Sequence, residues 1–193
     1  MTLLIIYFLV AIVVSFFCSL LESVLLSLSI AHVTVLEKDG TKVGKIMGEL
    51  KGNINRPLAA ILTINTVANT VGAAGVGAQT HIIFGNEWVA FASGVLTFGI
   101  LIFSEIIPKT IGSAYNKSLV PFSAYAIKGL MIIAWPFVVI SENVSKILNN
   151  NDSNNENKAS REELLAMAEI SEDEGAIDEQ EGDIIENLMK LDD

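Results

Sequence analysis

Long apolar runs occupy most of the first three quarters of the chain, and three of them are long enough to cross a lipid bilayer. About 20 apolar residues in a helix span the hydrocarbon core. The runs cover 3–30, 57–78 and 88–107; Glu22 interrupts the first, and Glu105 lies near the end of the third. The pattern predicts an all-α integral membrane protein with three transmembrane helices, and the lipid bilayer is its first expected partner.

Basic residues are concentrated in alternate loops. The loop before the second span carries Lys38, Lys42, Lys45, Lys51 and Arg56. The loop 79–87 has no Lys or Arg, and Lys109 and Lys117 follow the third span. By the positive-inside rule, the first and third loops face the cytoplasm. We therefore expect a multi-pass protein of the cell membrane with its N-terminus outside and its C-terminus in the cytoplasm.

A fourth apolar stretch, 119–148, has two interpretations. It is long enough to cross, but crossing would place the acidic end of the chain outside. Pro121 and Pro136 interrupt it, and proline inside a helix kinks or ends that helix. We favour two short helices that re-enter from the cytoplasmic side as a juxtamembrane hairpin, and a fourth full span is the alternative.

The last part of the chain is polar and acidic. Residues 149–159 form an Asn-rich linker, and 160–193 are predicted to be a cytoplasmic helical segment. Ser160 and Glu163 have the spacing of a capping box. A second helix from about 178 has one apolar face, formed by Ile184, Ile185, Leu188 and Leu191. The chain ends without a helix cap, as a piece of a longer protein would.

Composition narrows the function classes. The net charge of −10 lies mostly in the acidic segment and argues against nucleic acid as a partner. Cys18 is the only cysteine in 193 residues and lies in an apolar run, so it forms neither an intrachain disulfide nor a metal site. No pattern of catalytic groups is found, and we do not expect an enzyme.

Polar groups inside the spans are the informative feature, because they cost free energy in lipid and normally face a cavity or a partner. Ser19 and Ser23 are four residues apart and project from one helix face. Asn65 and Asn69 repeat that spacing in the second span. Hydroxyls bonded to their own helix, and Asn side chains joining two helices, are the alternative interpretations.

Two further groups complete the candidate set. A loosened turn near Gly72 would expose a carbonyl oxygen as a further ligand. Glu105 would add a formal charge if its side chain turns inward. Alternatively, Glu105 reaches the water at the membrane boundary, because Pro108 is expected to end the helix and Lys109 to lie at the cytoplasmic surface. Hydroxyl, amide and carboxylate oxygens without His or Cys point to Mg²⁺, Ca²⁺ or Na⁺.

These segments resemble the CNNM/CorC magnesium transporters. FFCSLLESVLLSLS resembles the FFSGSETALFSLS signature of that family's first helix, INTVANTV its second-helix Asn pair, and SEIIPKTIG its GEILPKTLG motif. Trp135-Pro136 and the acidic segment are also similar to the family. Leu20 and Leu21 depart from a Gly-Ser step, and Ser23 replaces a Thr.

The resemblance implies a homodimer in which each subunit holds a dehydrated Mg²⁺ near the middle of the membrane. The matching ligand positions are Ser19, Ser23, Asn65, Asn69, Gly72 and Glu105. Glu22 matches a position that we take to be structural. The resemblance also implies a cytosolic pair of CBS domains in the full-length chain.

We therefore expect a magnesium transporter that exports Mg²⁺ from the cytoplasm, with Na⁺ entry as the driving reaction. The alternative is a membrane-anchored regulator that senses Mg²⁺ and controls another transporter. A pore-forming protein usually needs a soluble form, and three long apolar spans argue against one.

Overall fold

The computed structural model describes residues 1–140, 161–173 and 179–190, and these residues are almost entirely helical, with no strand among them. The chain divides into two compact units, Met1–Lys146 and Ile147–Asp193. Each unit is described separately below.

The first unit begins with four helices joined by short turns. They are α1 (Thr2–Ser27), α2 (Ile30–Lys38), α3 (Lys42–Gly52) and α4 (Asn55–Phe84). Both α1 and α4 are long and apolar enough to cross a membrane. We call the two ends of this bundle the Thr2 end and the Ser27 end, after the first and last residues of α1.

The third span combines several helical geometries. It consists of a 3₁₀-helix (Asn86–Trp88), α5 (Val89–Gly99), a π-helix (Ile100–Ile106) and α6 (Ile107–Ala114). The run Asn86–Ala114 also has the length and hydropathy of a membrane span. Within the described residues, the prediction of three transmembrane helices is confirmed, and the protein is a multi-pass membrane protein.

The segment between the first two spans is helical, although the sequence analysis treated it as a loop. Ser29 accepts a hydrogen bond from the His32 N–H (3.3 Å) and begins α2, and Thr41 accepts one from the Gly44 N–H (3.0 Å) and begins α3. Each hydroxyl satisfies a free N–H of a helix start. The first helix therefore ends at Ser27 instead of continuing to residue 30.

The second span is longer than predicted. The small residues after position 72 continue α4 to Phe84, and Gly85 ends it with a φ of +92°, a conformation that favours glycine. Pro57 lies in the first turn of α4, where its missing N–H has no intrahelical partner.

The prediction that Pro108 ends the third helix is wrong. A proline ring inside a regular helix clashes with the carbonyl four residues earlier. In the preceding turn, however, the Ile107 N–H bonds to the Ile102 carbonyl, a π-type bond that spans five residues. This wider turn accommodates Pro108, and the helix continues to Ala114.

The fourth apolar stretch begins with α7 (Asn116–Ile133), in which Pro121 is accommodated. The expected break at Pro121 is therefore wrong, because a proline near a helix start displaces few backbone bonds. The helix is interrupted instead at Ala134, and residues 135–140 are helical again. Residues 141–148 lie outside the described part, and the re-entrant hairpin stays a prediction.

The main core of the first unit lies near the Ser27 end. Leu21, Val24 and Leu25 of α1 form a cluster with buried side chains of the neighbouring helices, including Met47, Leu50, Ile61, Val120 and Ile127. α1 packs against α4, the π-helix, α6 and α7, and is thus the central helix of the unit.

The second unit contains α8 (Arg161–Asp173) and α9 (Glu179–Lys190), which pack against each other. Both lie within the segment that was predicted to be helical. Ile184 (59% exposed) and Leu188 (66%) belong to the predicted apolar face of α9 and are not covered within the described residues. The linker 149–159, the Ser160 cap and Leu191 lie outside the described residues.

Candidate cation site

Close contacts at three glycines fix how the spans are aligned along α1. A side chain at Gly72 would collide with Ala11, and one at Gly75 would collide with the Tyr7 ring, so α4 runs antiparallel to α1. On α6, a Cβ at Gly112 would lie 2.8 Å from the Leu20 carbonyl oxygen and from Ser23 Cβ. In the same span, Ser104 Oγ donates a hydrogen bond to the Ile12 carbonyl (3.0 Å).

This alignment brings Asn65 and Asn69 opposite two serines of α1. Both asparagines share a helix face with Gly72, and that face contacts α1. Counted back from Gly72, Asn69 lies at about the depth of Ser15, and Asn65 at about the depth of Ser19, one turn (~5.4 Å) farther along. Ser15 and Ser19 in turn share the face of Ala11, the residue that meets Gly72.

The same alignment places Glu105 near this level. It follows Ser104, whose hydroxyl bonds to the Ile12 carbonyl, and therefore lies at about the depth of Ser15. Its side chain is half-buried. Apart from Glu87 at the exposed start of the third span, the acidic residues of the three spans are Glu22 and Glu105, and Glu22 Oε2 lies 3.8 Å from Lys109 Nζ. Glu105 is thus the carboxylate not neutralised by a lysine.

Four buried oxygen atoms on these facing surfaces have no hydrogen-bond partner: Ser15 Oγ, Ser19 Oγ, Asn65 Oδ1 and Asn69 Oδ1. Leaving a buried polar group without a partner costs about 1–3 kcal/mol. Among the residues that the structure describes, two more such atoms, the hydroxyls of Thr80 and Ser123, lie outside this group. A cation is the ligand that would satisfy several acceptor oxygens at once.

Ser15 and Ser19 of α1 differ from several other hydroxyl residues in the described helices. Ser27, Thr97 and Thr110 each donate to the carbonyl four residues earlier, at 2.6–2.8 Å. That is the usual arrangement for a hydroxyl in an apolar helix. The buried Ser15 (0% exposed) and Ser19 (1%) lack this bond, so their oxygens remain unsatisfied.

Ser23 is engaged with the third span. Its Oγ donates to the Lys109 carbonyl (2.7 Å), which uses the hydroxyl hydrogen and leaves the oxygen lone pairs to accept or to bind a cation. Together with the contact between Glu22 and Lys109, this bond ties α1 to α6 on the Ser27 side of the unpartnered oxygens.

The helix turn at Gly72 is regular, whereas the sequence analysis expected a loosened turn there. α4 is regular α-helix throughout Asn55–Phe84, so the loosened turn near Gly72 is absent, because the glycine instead permits close contact with Ala11. The irregular turn is in the third span. Since Pro108 has no N–H, one carbonyl of the turn that contains Glu105 lacks an intrahelical donor.

Ser15 is the residue that the sequence analysis missed. It continues the four-residue spacing of Ser19 and Ser23 by one more turn, and this periodicity was the available signal. Among the described residues, no group of three or more His, Cys, Asp or Glu side chains could hold a metal ion. A cation here would rely on neutral oxygens and one carboxylate.

Comparisons with known proteins match the part of the chain that holds the three spans. Residues 4–181 match the family model of the cyclin M transmembrane N-terminal domain, CNNM. A UPF0053 protein of Synechocystis sp. is 28% identical over 91% of this chain and half of its own length. A chloroplastic DUF21 domain-containing protein of Arabidopsis thaliana is 31% identical over 75% of this chain and 22% of its own length.

The UPF0053 inner membrane protein YfjD of Escherichia coli is 27% identical over 66% of the chain and 30% of its own length. The chain therefore spans half or less of the length of each of these relatives.

Proposed function

The chain belongs to the CNNM family of membrane domains, and from that premise we propose that it carries Mg²⁺ across the membrane through an intramembrane site made only of oxygen ligands. The observation that carries the proposal is the set of buried, unpartnered oxygens on the facing surfaces of α1 and α4, at the depth of Glu105. The family is one of membrane transporter and regulator domains rather than a known enzyme class.

The proposed ligands are Ser19, Ser23, Asn65, Asn69, Gly72 and Glu105, to which we add Ser15. The serine and asparagine oxygens replace water around the ion, the Gly72 carbonyl offers its second lone pair, and Glu105 supplies charge. Mg²⁺ gives up water reluctantly. Neutral oxygens alone would therefore hold it poorly, and we assign the decisive electrostatic contribution to Glu105.

Export needs a driving force. An inside-negative potential opposes exit by about 2.3 kcal/mol per charge per 100 mV, or about 4.6 kcal/mol for a divalent ion. We propose that Na⁺ entry supplies this free energy, because Na⁺ also prefers oxygen ligands. In this account the protein lies in the cell membrane as a homodimer, with its N-terminus outside and its C-terminus in the cytoplasm, where the full-length protein carries its CBS pair.

The test is Mg²⁺ flux in liposomes that contain the purified chain and an internal Mg²⁺-sensitive dye. We expect Na⁺-dependent flux that Glu105→Gln abolishes, since the amide keeps the size but removes the charge. Glu87→Gln, at the exposed start of the third span, is the matched control and should retain flux. Flux equal to wild type in Glu105→Gln would remove that residue from the site.

The Mg²⁺-sensing regulator is the second candidate, favoured by the exposed apolar face of α9, which suits contact with another protein. A regulator would bind Mg²⁺ without moving it. Binding without flux in the same liposomes would therefore select the regulator.

A further inference from the structure

Lys109 forms a loose ion pair with Glu22. Its Nζ lies 3.8 Å from Glu22 Oε2, and the Lys109 side chain is 49% exposed, against 19% for Glu22. Hydrogen bonds between an ammonium and a carboxylate are typically about 2.7–2.9 Å long. The observed contact is longer, so it does not fix the ammonium in place, and the side chain can turn towards a second carboxylate.

Glu105 lies within reach of the same ammonium. It precedes Lys109 by four residues in the third span, and side chains at this spacing lie on one helix face. The π-type turn that ends at Ile107 overlaps this interval. Since such a turn holds more than 3.6 residues, a spacing of four remains close to one full turn.

The direction of the Lys109 side chain also suits this contact. Each Cα–Cβ bond of a helix tilts towards the start of that helix, which aims Lys109 towards the level of Glu105. A glutamate four residues before a lysine is the favourable order for an ion pair on a helix. Lys109 is therefore placed to contact either Glu22 or Glu105.

Glu105 needs a counter-charge because of its depth. It is half-buried within a span, and ionisable groups inside membrane spans usually pair with one another or mark the path of an ion. A cation in the proposed site supplies the counter-charge while it is bound. Lys109 is the only basic residue of the third span, Asn86–Ala114, and it can supply that charge once the cation has left.

We propose that Lys109 competes with the transported cation for Glu105, and that Glu22 holds the ammonium aside while the cation is bound. This inference rests on the proposed function, because it assigns the step in which the ion leaves its site. When the ammonium arrives at Glu105, one counter-charge replaces another, and the carboxylate is not left unpaired in the bilayer. Glu22 thereby sets the balance between binding and release.

A structural tie between α1 and α6 is the alternative role of the Glu22–Lys109 pair. Glu22→Gln and Lys109→Gln both break the pair, so a tie predicts that both variants change Mg²⁺ binding in the same direction. Competition predicts opposite changes. We expect the half-saturating Mg²⁺ concentration to rise about threefold in Glu22→Gln and to fall about threefold in Lys109→Gln, factors typical of a partly exposed ion pair.

The measurement is the melting temperature of the full chain in detergent, titrated with Mg²⁺. The double variant Glu22→Gln/Lys109→Gln should bind Mg²⁺ like Lys109→Gln, because Glu22 has no ammonium left to hold aside. If the two charges acted on the cation only through their electric field, their effects would cancel, and the double variant would bind like wild type. Lys117→Gln, at an exposed lysine beyond the third span, is the control and should change nothing.

Carbodiimide cross-linking identifies the carboxylate that the ammonium contacts. The reagent activates a carboxylate, and an amine in direct contact displaces the activating group to form an amide, which peptide mass spectrometry locates. We expect links from Lys109 to both Glu22 and Glu105 without Mg²⁺, and a link to Glu22 alone at saturating Mg²⁺.

Three results would each overturn the competition: changes of the same sign in the two single variants, a double variant that binds Mg²⁺ like wild type, or a Lys109–Glu105 link that is absent or unaffected by Mg²⁺. The proposed function fails in a different way, through a wild-type chain that neither carries Mg²⁺ in liposomes nor is stabilised by it, and the competition then fails with it. A wild-type chain that carries Mg²⁺ but gives any of the three results would lose the competition alone.

Discussion

Ser19 illustrates how a candidate binding residue can be distinguished from a structural one at the scale of a single side chain. Its hydroxyl is 1% exposed and has no partner. A structural serine in an apolar helix would satisfy its hydroxyl on its own backbone, as Ser27 does on the Ser23 carbonyl (2.6 Å). The unsatisfied state of Ser19 is a cost to folding that a bound cation would offset.

We predict that Ser19→Ala raises the melting temperature of the Mg²⁺-free protein, because it removes a buried group whose missing hydrogen bond costs about 1–3 kcal/mol. The same change should abolish the further rise that Mg²⁺ produces in wild type, since ligands stabilise the state that binds them. Tryptophan fluorescence during heating in detergent measures both effects.

Ser27→Ala is the matched control. Its hydroxyl is exposed and bonded locally, so the variant should keep the Mg²⁺-induced rise. The account of Ser19 fails if Ser19→Ala lowers the melting temperature without Mg²⁺ more than Ser27→Ala does, or if Mg²⁺ still stabilises it.

The sequence could predict several site residues but not all of their contacts. The four-residue spacings of Ser19 with Ser23 and of Asn65 with Asn69 indicate one face on each helix. The bond from Ser23 to the Lys109 carbonyl joins residues 86 positions apart, and no local pattern encodes such a contact.

At the scale of the element, the π-helix before Pro108 is the feature with the clearest connection to the site. It widens the turn that carries Glu105, and Pro108, which has no N–H, removes one donor from the backbone there. Such turns within helices frequently occur at functional sites. The irregularity also determines the direction of Glu105, because an inserted residue rotates the helix before it by about 100°.

We predict that Pro108→Ala lets the turn become regular α-helix, changes the direction of Glu105 and strongly reduces Mg²⁺ flux. The protein should still fold, because alanine favours the helix. Flux assays in liposomes and the Mg²⁺-induced shift in melting temperature measure the result.

Pro57→Ala is the control for this prediction. Pro57 occupies the first turn of α4, where its missing N–H has no intrahelical partner, and its replacement should leave flux intact. A Pro108→Ala protein with wild-type flux would show that the π-helix has no part in transport.

The helix ends explain where sequence-based prediction of elements failed. Apolar length identified α1, α4 and the third span, but it could not reveal α2 and α3, because these helices are short and begin at polar caps, Ser29 and Thr41. The sequence analysis also ended the third helix at Pro108, because proline usually ends a helix. No sequence pattern indicated the π-type turn that accommodates this proline.

At the scale of the whole molecule, α1 is the helix on which the site depends. Glycine contacts at Gly72 and Gly112 align α4 and α6 with it, and small residues at such contacts are how helices approach closely in membranes. The sequence identified the family and the three spans, and both are confirmed. The sequence alone could not predict that Asn69, Ser15 and Glu105 lie at about the same depth, because this depends on how the three spans pack against one another.

The central claim is that oxygens from all three spans bind one cation. The most direct test is anomalous scattering from crystals grown with Mn²⁺, because Mn²⁺ favours the same oxygen ligands as Mg²⁺. We predict a single intramembrane peak in each subunit, bounded by Ser19, Asn69 and Glu105, that disappears in Glu105→Gln and weakens as Mg²⁺ is added. Peaks found only among the acidic helices, or an intramembrane peak unchanged in Glu105→Gln, would contradict the account.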